Sequence, residues 1–226
     1  VSSAASDVYK RQAGHLGPEY TEAWHRGEPA AVALGTRGDT DLDHLIRIFV
    51  LHEHVPATLL SDVLGARLAA KLLDSGVAQT DEHGTVYVAY DIRPHVIVGR
   101  NRLVFSDVDA SLVDHVPGAD HVLGVGSASL SLLHSTPTSP VSSVLDLGTG
   151  SGVQLLGQLD SAERIVATDV HERALDLARA TVTAADATHR VDLRSGSWFD
   201  PVAGERFDRI VANPPFVVGL PEVGHV

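Results

Sequence analysis

One glycine-rich run constrains the fold of this chain more than any other stretch. It reads Val144-Leu-Asp-Leu-Gly-Thr-Gly-Ser-Gly152. The apolar start predicts a buried parallel strand, and the alternating glycines predict a tight turn from its carboxyl end into a helix. Glycine suits that turn because it adopts positive φ and lets a ligand approach the backbone closely. In a doubly wound sheet, ligands bind at this edge, so we expect a ligand site there.

The pattern around this run predicts an α/β fold. From residue 144 onward it gives, in order, strand 144–147, helix 152–159, strand 164–168, helix 171–185, strand 190–194 and strand 207–212. Strands that alternate with helices in this way form a parallel sheet with right-handed crossovers.

The second of these strands ends in Asp169, and its position narrows the choice of ligand. A carboxylate there can accept hydrogen bonds from both ribose hydroxyls of a nucleotide cofactor. Dinucleotide enzymes carry G-x-G-x-x-G, in which the helix amino terminus receives a pyrophosphate. Here the order is D-x-G-x-G-x-G, and Asp146 would repel a pyrophosphate. A cofactor with a positively charged or amino-bearing end fits better, and a nicotinamide-dependent dehydrogenase is the alternative.

The last predicted strand runs into Asn213-Pro214-Pro215-Phe216. Each proline fixes φ and restrains the residue before it, which makes a stiff corner. The Asn side chain and a proline carbonyl are thereby held as two acceptors for the hydrogens of one planar amino group. The Phe216 ring offers a surface on which a base or an amide can stack. The alternative is a proline-rich turn followed by a core Phe.

Together these motifs resemble the class I methyltransferases that use S-adenosylmethionine. The glycine run resembles their motif I, and Asn213–Phe216 resembles the N-P-P-[FYW] motif of enzymes that methylate nucleobase amines or glutamine amides. The match is to their small-domain (MTS) group and covers about residues 120–216. The resemblance implies a Rossmann-like sheet with seven strands, of which this chain would contain strands 1–4 and end with an exposed edge. We therefore expect a carboxyl-terminally truncated fragment that is unstable or prone to aggregation.

The same resemblance implies a role for each site residue. Asp146 would orient the sulfonium end of the cofactor through its amino group, and Asp169 would hold the ribose. The family places an acidic residue near Ser197 for the adenine, so Trp198 becomes the expected adenine neighbour, with a plain core position as its alternative. The predicted cofactor-binding set is Asp146, Gly148, Thr149, Gly150, Gly152, Asp169, Ser197 and Trp198, and the predicted catalytic set is Asn213, Pro214, Pro215 and Phe216. We predict no metal ligands.

The preceding part of the chain predicts a small α+β domain of the winged-helix type over residues 13–118. It would contain a helix near 19–26, helices at 41–52, 56–65 and 66–75, a hairpin of strands 77–80 and 85–90, and a strand pair at 95–98 and 102–105. This part resembles actinobacterial members of the methyltransferase group. The third helix of the winged unit carries only Arg67 and Lys71 as cations, which favours packing or substrate presentation over base readout. A winged-helix regulator that binds nucleic acid is the alternative from another class.

Residues 119–226 would form the methyltransferase domain, with residues 120–129 either covering the cofactor or simply connecting the domains. Residues 1–12 have the character of translated adaptor sequence and are set aside from the fold.

Composition limits the partners and the compartment. The formal net charge of −12 argues against a strong non-specific hold on a polyanion, although a local basic face could still bind one. The absence of Cys excludes disulfides and thiolate metal sites, and together with the lack of a long apolar run it predicts a cytoplasmic protein. We place a nucleic-acid base slightly ahead of a protein glutamine as the methyl acceptor, since both present a planar amino group.

Overall fold

The computed structural model describes residues 2–25, 28–112, 118 and 120–214. It divides into two units. An amino-terminal unit comprises Ser3–Ile92 and Asp107–His115, and a sheet unit comprises Arg93–Ser106 and Val116–Val226 together with the first two residues. The predicted division at residues 118 and 119 stays a prediction.

The amino-terminal unit combines helices with a small antiparallel sheet. Its elements are α1 Ser2–His25, α2 Pro29–Gly35, α3 Asp41–Phe49, β1 Val55–Pro56, α4 Ala57–Leu64, α5 Ala66–Asp74, β2 Ala78–Thr80 and β3 Thr85–Val88. The strand order is β1-β3-β2, and both pairings are antiparallel. Helix α1 is broken at Gly17, where φ is 76°. Helix α3 begins at a capping box in which Thr40 and Asp43 each bond the other's backbone N–H.

The predicted helices and hairpin of this unit are confirmed as α3, α4, α5 and β2–β3, with ends that differ by one to three residues. The helix predicted near 19–26 lies at the end of the longer α1. Residues 2–12, set aside in the sequence analysis, begin that helix, and their assignment as adaptor sequence stays a prediction. The sequence analysis missed α2 and β1, the latter because two residues carry no periodic pattern. The winged-helix assignment also stays a prediction.

The sheet unit is built around parallel strands. Its elements are β4 Tyr90–Ile97, β5 Arg100–Asp107, α6 Ser127–Ser135, β6 Val141–Leu147, α7 Val153–Gln158, β7 Ala162–Asp169, α8 Glu172–Ala184, β8 Val191–Ser195 and β9 Arg209–Ala212. The first three residues of β4 and the last residue of β5 belong to the amino-terminal unit. The order β8-β7-β6-β9 is parallel throughout, with β6 and β7 in the centre of the described sheet. This confirms the predicted α/β Rossmann-like fold. Because the strands are parallel, the loops after β6, β7, β8 and β9 all leave the same edge.

Alternating side chains of the central strands enter two buried clusters. Val144 and Ile165 join the cluster that includes α7, whereas Leu145 and Val166 join a second cluster with Val202. This alternation is expected for strands that are covered on both faces. It fixes the strand register, since a slip of one residue would exchange the two faces.

Strands β4 and β5 pair with each other, as predicted, through a two-residue turn in which Val98 and Gly99 both have positive φ. The Phe105 N–H donates to the Thr181 hydroxyl on α8 at 3.1 Å. Arg100 pairs with Asp160 at 2.6 Å. The pair of strands is therefore attached to the sheet unit by polar contacts as well as by its core residues.

None of the described helices combines the length and the apolar character needed to cross a membrane.

Candidate cofactor and substrate site

The glycine run forms the loop between β6 and α7 that its sequence predicts. Gly148, Gly150 and Gly152 all have positive φ, at 70°, 53° and 84°. The Thr149 N–H donates to the Thr168 carbonyl on β7 at 2.9 Å, which holds the loop against the neighbouring strand. L side chains rarely adopt this conformation, so the alternating glycines are a requirement of the backbone path.

Asp146 lies at the end of β6 and is 1% exposed. Its Oδ2 accepts hydrogen bonds from the Thr149 hydroxyl at 2.7 Å and from the Leu155 N–H at 3.1 Å. Its Oδ1 has no hydrogen-bond partner among the described residues. Burial raises the pKa of Asp146 to about 6, with the charge of Asp169 adding to the effect and the two hydrogen bonds opposing it. A buried acceptor without a partner costs free energy, which a cationic or N–H-bearing ligand could recover.

Asp169 ends β7 and faces the same loop. Its Oδ2 accepts from the Gly150 N–H at 2.9 Å, and its Oδ1 accepts from the His171 N–H at 3.1 Å. A carboxylate has about four lone-pair sites, so both oxygens keep the capacity to accept from ribose hydroxyls. The structure thus brings the two predicted carboxylates to adjacent strand ends, one on each side of the glycine loop.

The loop after β8 carries Ser197 and Trp198. The Gly196 N–H donates to the Asp169 carbonyl at 2.9 Å, which places this loop beside the second carboxylate. Trp198 is 65% exposed, and its φ of 46° lies in the left-handed region. The alternative of a core Trp is therefore wrong, because a core indole would be buried. The contact of Ser197 and Trp198 with adenine stays a prediction.

Asn213 follows β9, whose residue Ala212 pairs with Leu147 of β6. Its Nδ2 donates to the Ser129 hydroxyl at 3.5 Å. Pro214 is exposed at the same edge of the sheet. The other two predicted catalytic residues, Pro215 and Phe216, lie outside the described residues.

The segment before β6 contacts the site at several points. The Ser151 hydroxyl of the glycine loop donates to the Leu123 carbonyl at 2.9 Å. The Gln154 Nε2 of α7 donates to the Ser129 carbonyl at 2.9 Å. Residues 120–129 therefore lie against the glycine loop, and their role in covering a cofactor stays a prediction.

The sequence analysis missed Ser129 and Gln154. The one signal in the sequence was a glutamine in the otherwise apolar start of α7, and it gave no indication of its partner.

Among residues 2–25, 28–112 and 120–214, no three or more His, Asp or Glu side chains are grouped in a way that could hold a metal ion.

Two known families match parts of the chain. Residues 119–226 match the family described as "Methyltransferase small domain". Residues 10–89 match a "Domain of unknown function (DUF7059)".

Individual methyltransferases also resemble the chain. A release factor glutamine methyltransferase of Xylella fastidiosa is 34% identical over 155 residues, which is 66% of this chain and 52% of that protein. A bifunctional methyltransferase of Rickettsia felis is 36% identical over 93 residues, covering 40% of this chain and 18% of that protein. The structure of a T. thermophilus 16S rRNA methyltransferase with AdoMet and guanosine superimposes at a TM-score of 0.47 and 22% identity, over 70% of this chain and 45% of that one. The chain thus spans about half the length of the Xylella protein.

S-adenosylmethionine, the cofactor of this methyltransferase family, suits the residues present. The buried Oδ1 of Asp146 has no partner among the described residues and matches the acceptor that the cofactor's amino group needs, and this contact stays a prediction. Asp169 keeps lone pairs that suit ribose hydroxyls, and the three positive-φ glycines carry no side chain that would block the loop backbone. The chemistry of the donor set therefore matches the cofactor.

Proposed function

We propose that this protein transfers a methyl group from S-adenosylmethionine to the side-chain amide nitrogen of a protein glutamine. The observation that carries this proposal is the position of Asn213 at the end of β9, at the same edge as the glycine loop. Its Nδ2 is turned toward Ser129, which leaves Oδ1 as an acceptor for an amino group. Such an acceptor beside a cofactor site suits a planar –NH2 substrate.

The resemblance to the Xylella release factor enzyme supports glutamine over the nucleobase amine that the sequence analysis placed first. That resemblance extends over 66% of the chain. The net charge of −12 supports the same order, because an RNA substrate would be repelled unless a local basic face received it. We therefore place glutamine first and the nucleobase amine second.

The chemistry follows from how an amide nitrogen is held. Its lone pair is conjugated with the carbonyl and is a weak nucleophile. Acceptors at Asn213 Oδ1 and at the Pro214 carbonyl would bind its two hydrogens and direct the lone pair toward the cofactor. Bound S-adenosylmethionine supplies a methyl group on a positively charged sulfur. The new N–C bond forms as the C–S bond breaks, the sulfur keeps the electron pair, and the nitrogen then loses a proton to water. The contribution of the protein is mainly positioning.

The amino-terminal unit would present the substrate in this proposal. Its helices α3 to α5 and its hairpin β2–β3 follow each other in the order of a winged helix. The cations of α5, Arg67 and Lys71, are both exposed and too few for base readout. This supports a role in holding a protein acceptor.

The test is a competition between acceptors. The protein is incubated with methyl-labelled S-adenosylmethionine, purified release factor and total ribosomal RNA, and label is located by mass spectrometry. We expect label on a release factor glutamine, and we expect the rate of labelling to fall about 100-fold or more in Asn213→Ala. The matched control is Asn101→Ala on β5, which removes the chain's other Asn. Label found in RNA alone would replace the first candidate with the second.

A further inference from the structure

Ser129, in the first turn of α6, contacts two parts of the site at once. Its hydroxyl accepts from Asn213 Nδ2 at 3.5 Å. Its backbone carbonyl accepts from Gln154 Nε2 at 2.9 Å. Ser129 thus contacts both α7, the helix that follows the glycine loop, and Asn213, the first residue of the Asn-Pro motif. Asn213 lies 84 positions after Ser129 in the chain.

The orientation of the Asn213 side chain decides what it can bind. Its oxygen accepts hydrogen bonds and its nitrogen donates them, and the two ends are nearly identical in shape. With Oδ1 toward the site, the side chain accepts from an amino group. If the side chain were rotated by 180°, its N–H groups would face the N–H groups of the acceptor amine, and the amine would not bind. The Ser129 hydroxyl could also donate to Oδ1, so it does not exclude the rotated amide. In the productive orientation, however, it gives Nδ2 an acceptor while Oδ1 stays available to an amino group.

The backbone of Ser129 is itself held by Gln154 of α7, the helix that follows the glycine loop. Gln154 is 5% exposed, and its Oε1 has no partner among the described residues. A buried acceptor without a partner disfavours folding, so an apolar side chain would suit this place in the core better. The bond to the Ser129 carbonyl gives the glutamine a role. The Ser151 hydroxyl fixes the preceding segment in the same way, through the Leu123 carbonyl at 2.9 Å.

We propose that Ser129 is a positioning residue that accepts from Asn213 Nδ2 and so holds this side chain in place for the acceptor amine. The inference rests on the proposed function, because it assigns Asn213 to the substrate amine.

The test compares Ser129→Ala, Ser129→Thr and Ser131→Ala in the whole protein. Ser131 is exposed on the same helix and serves as the matched control. We expect Ser129→Ala to lower kcat roughly 10- to 100-fold with an unchanged Kd for S-adenosylmethionine, as for loss of a positioning contact. Ser129→Thr, which keeps the hydroxyl, restores most of kcat, and Ser131→Ala matches the unmodified protein.

A second readout detects the contact without turnover. The chain has only two Asn residues, Asn101 and Asn213, so their side-chain amide NMR signals can be assigned by single substitutions. Ser129→Ala should shift the Asn213 signals and leave those of Asn101 unchanged. Unchanged Asn213 signals, or an unchanged kcat, would overturn the inference. An unmodified protein that methylates no amine would instead overturn the proposed function, and this inference with it, before any variant is compared.

Discussion

Asp146 is the residue whose chemistry is most restricted by its surroundings. Its carboxylate is buried at the end of a central strand, one oxygen is occupied by two donors, and the other has no partner among the described residues. A residue selected for stability alone would not leave a buried acceptor unpaired. Its burial and its pKa of about 6 both indicate a group that is poised for a ligand.

A first prediction concerns the stability of the cofactor-free protein. The folded-state pKa of Asp146 is raised from 3.8 to about 6, so between these pH values the folded state binds more protons than the unfolded state. Stability therefore falls as pH rises through this window and stays lower above it. Asp146→Asn should remove this loss and raise the free energy of unfolding at pH 8 by at most about 3 kcal/mol.

Thermal melts at pH 5 and pH 8 test the prediction, with Asp176→Asn on the exposed side of α8 as the control. An Asp146→Asn variant that is less stable than the unmodified protein at pH 8 would contradict it.

A second prediction concerns the pH dependence of cofactor affinity. If Asp146 binds the cofactor's ammonium group, only its ionised form would attract that group, and the ionisation is lost as pH falls through its pKa of about 6. The Kd for S-adenosylmethionine should be nearly constant between about pH 6.5 and 7.5 and should rise up to about tenfold per pH unit well below 6. Titration calorimetry from pH 5 to 7.5 measures this. A flat profile down to pH 5 would show that the Asp146 charge does not contribute.

Among the elements, those with strong periodicity could be predicted from the sequence. The strands that end at Leu147, Asp169 and Ala212 each contain a short apolar run, and their parallel pairing follows from the alternation with helices. The predicted carboxylates and glycines meet at one edge for the same reason. The contact between Ser129 and Asn213 could not be predicted, because it joins residues 84 positions apart and depends on how α6 packs. A single serine carries no periodic signal.

A third prediction separates the two constraints on the glycine loop. A Cβ at Gly152 would lie 3.3 Å from Leu155 Cδ2 and 3.6 Å from the Ala178 Cα, and φ there is +84°. Gly204 has nearly the same φ, +80°, and a Cβ added there would meet no atom within 4 Å. Gly204→Ala should therefore lower the free energy of unfolding only by the cost of a left-handed conformation, about 1–2 kcal/mol. Gly152→Ala should lower the free energy of unfolding further, because the Leu155 side chain has to shift by a few tenths of an ångström.

Chemical denaturation of both variants measures the difference. The same crowding predicts that Gly152→Ala weakens S-adenosylmethionine binding while Gly204→Ala does not. Equal losses of stability in the two variants would show that crowding by Leu155 has no energetic effect.

At the scale of the whole molecule, the two units differ in how far their chemistry could be foreseen. The sheet unit contains two motifs, one with Asp146 and one with Asn213, whose residue types indicate a particular chemistry. The amino-terminal unit has only a pattern of helices and strands, and such a pattern indicates architecture without identifying a ligand. Its low content of exposed cations in α5 is the one feature that bears on partners.

A fourth prediction follows from the overall charge. With a formal net charge of −12, the protein should not bind a short DNA duplex of about 20 base pairs measurably at about 150 mM salt. Fluorescence anisotropy with labelled duplex measures this. A submicromolar Kd that weakens steeply with added salt would instead favour the nucleic-acid-binding regulator over the proposed enzyme.

The central claim is that the edge formed by Asp146, the glycine loop and Asp169 binds S-adenosylmethionine. The most direct measurement is isothermal titration of S-adenosylmethionine and S-adenosylhomocysteine into the protein and into Asp169→Ala, with folding of both checked by circular dichroism. We expect micromolar binding of both ligands to the unmodified protein and loss of binding in the variant. Folded, unmodified protein that binds neither ligand would contradict the claim.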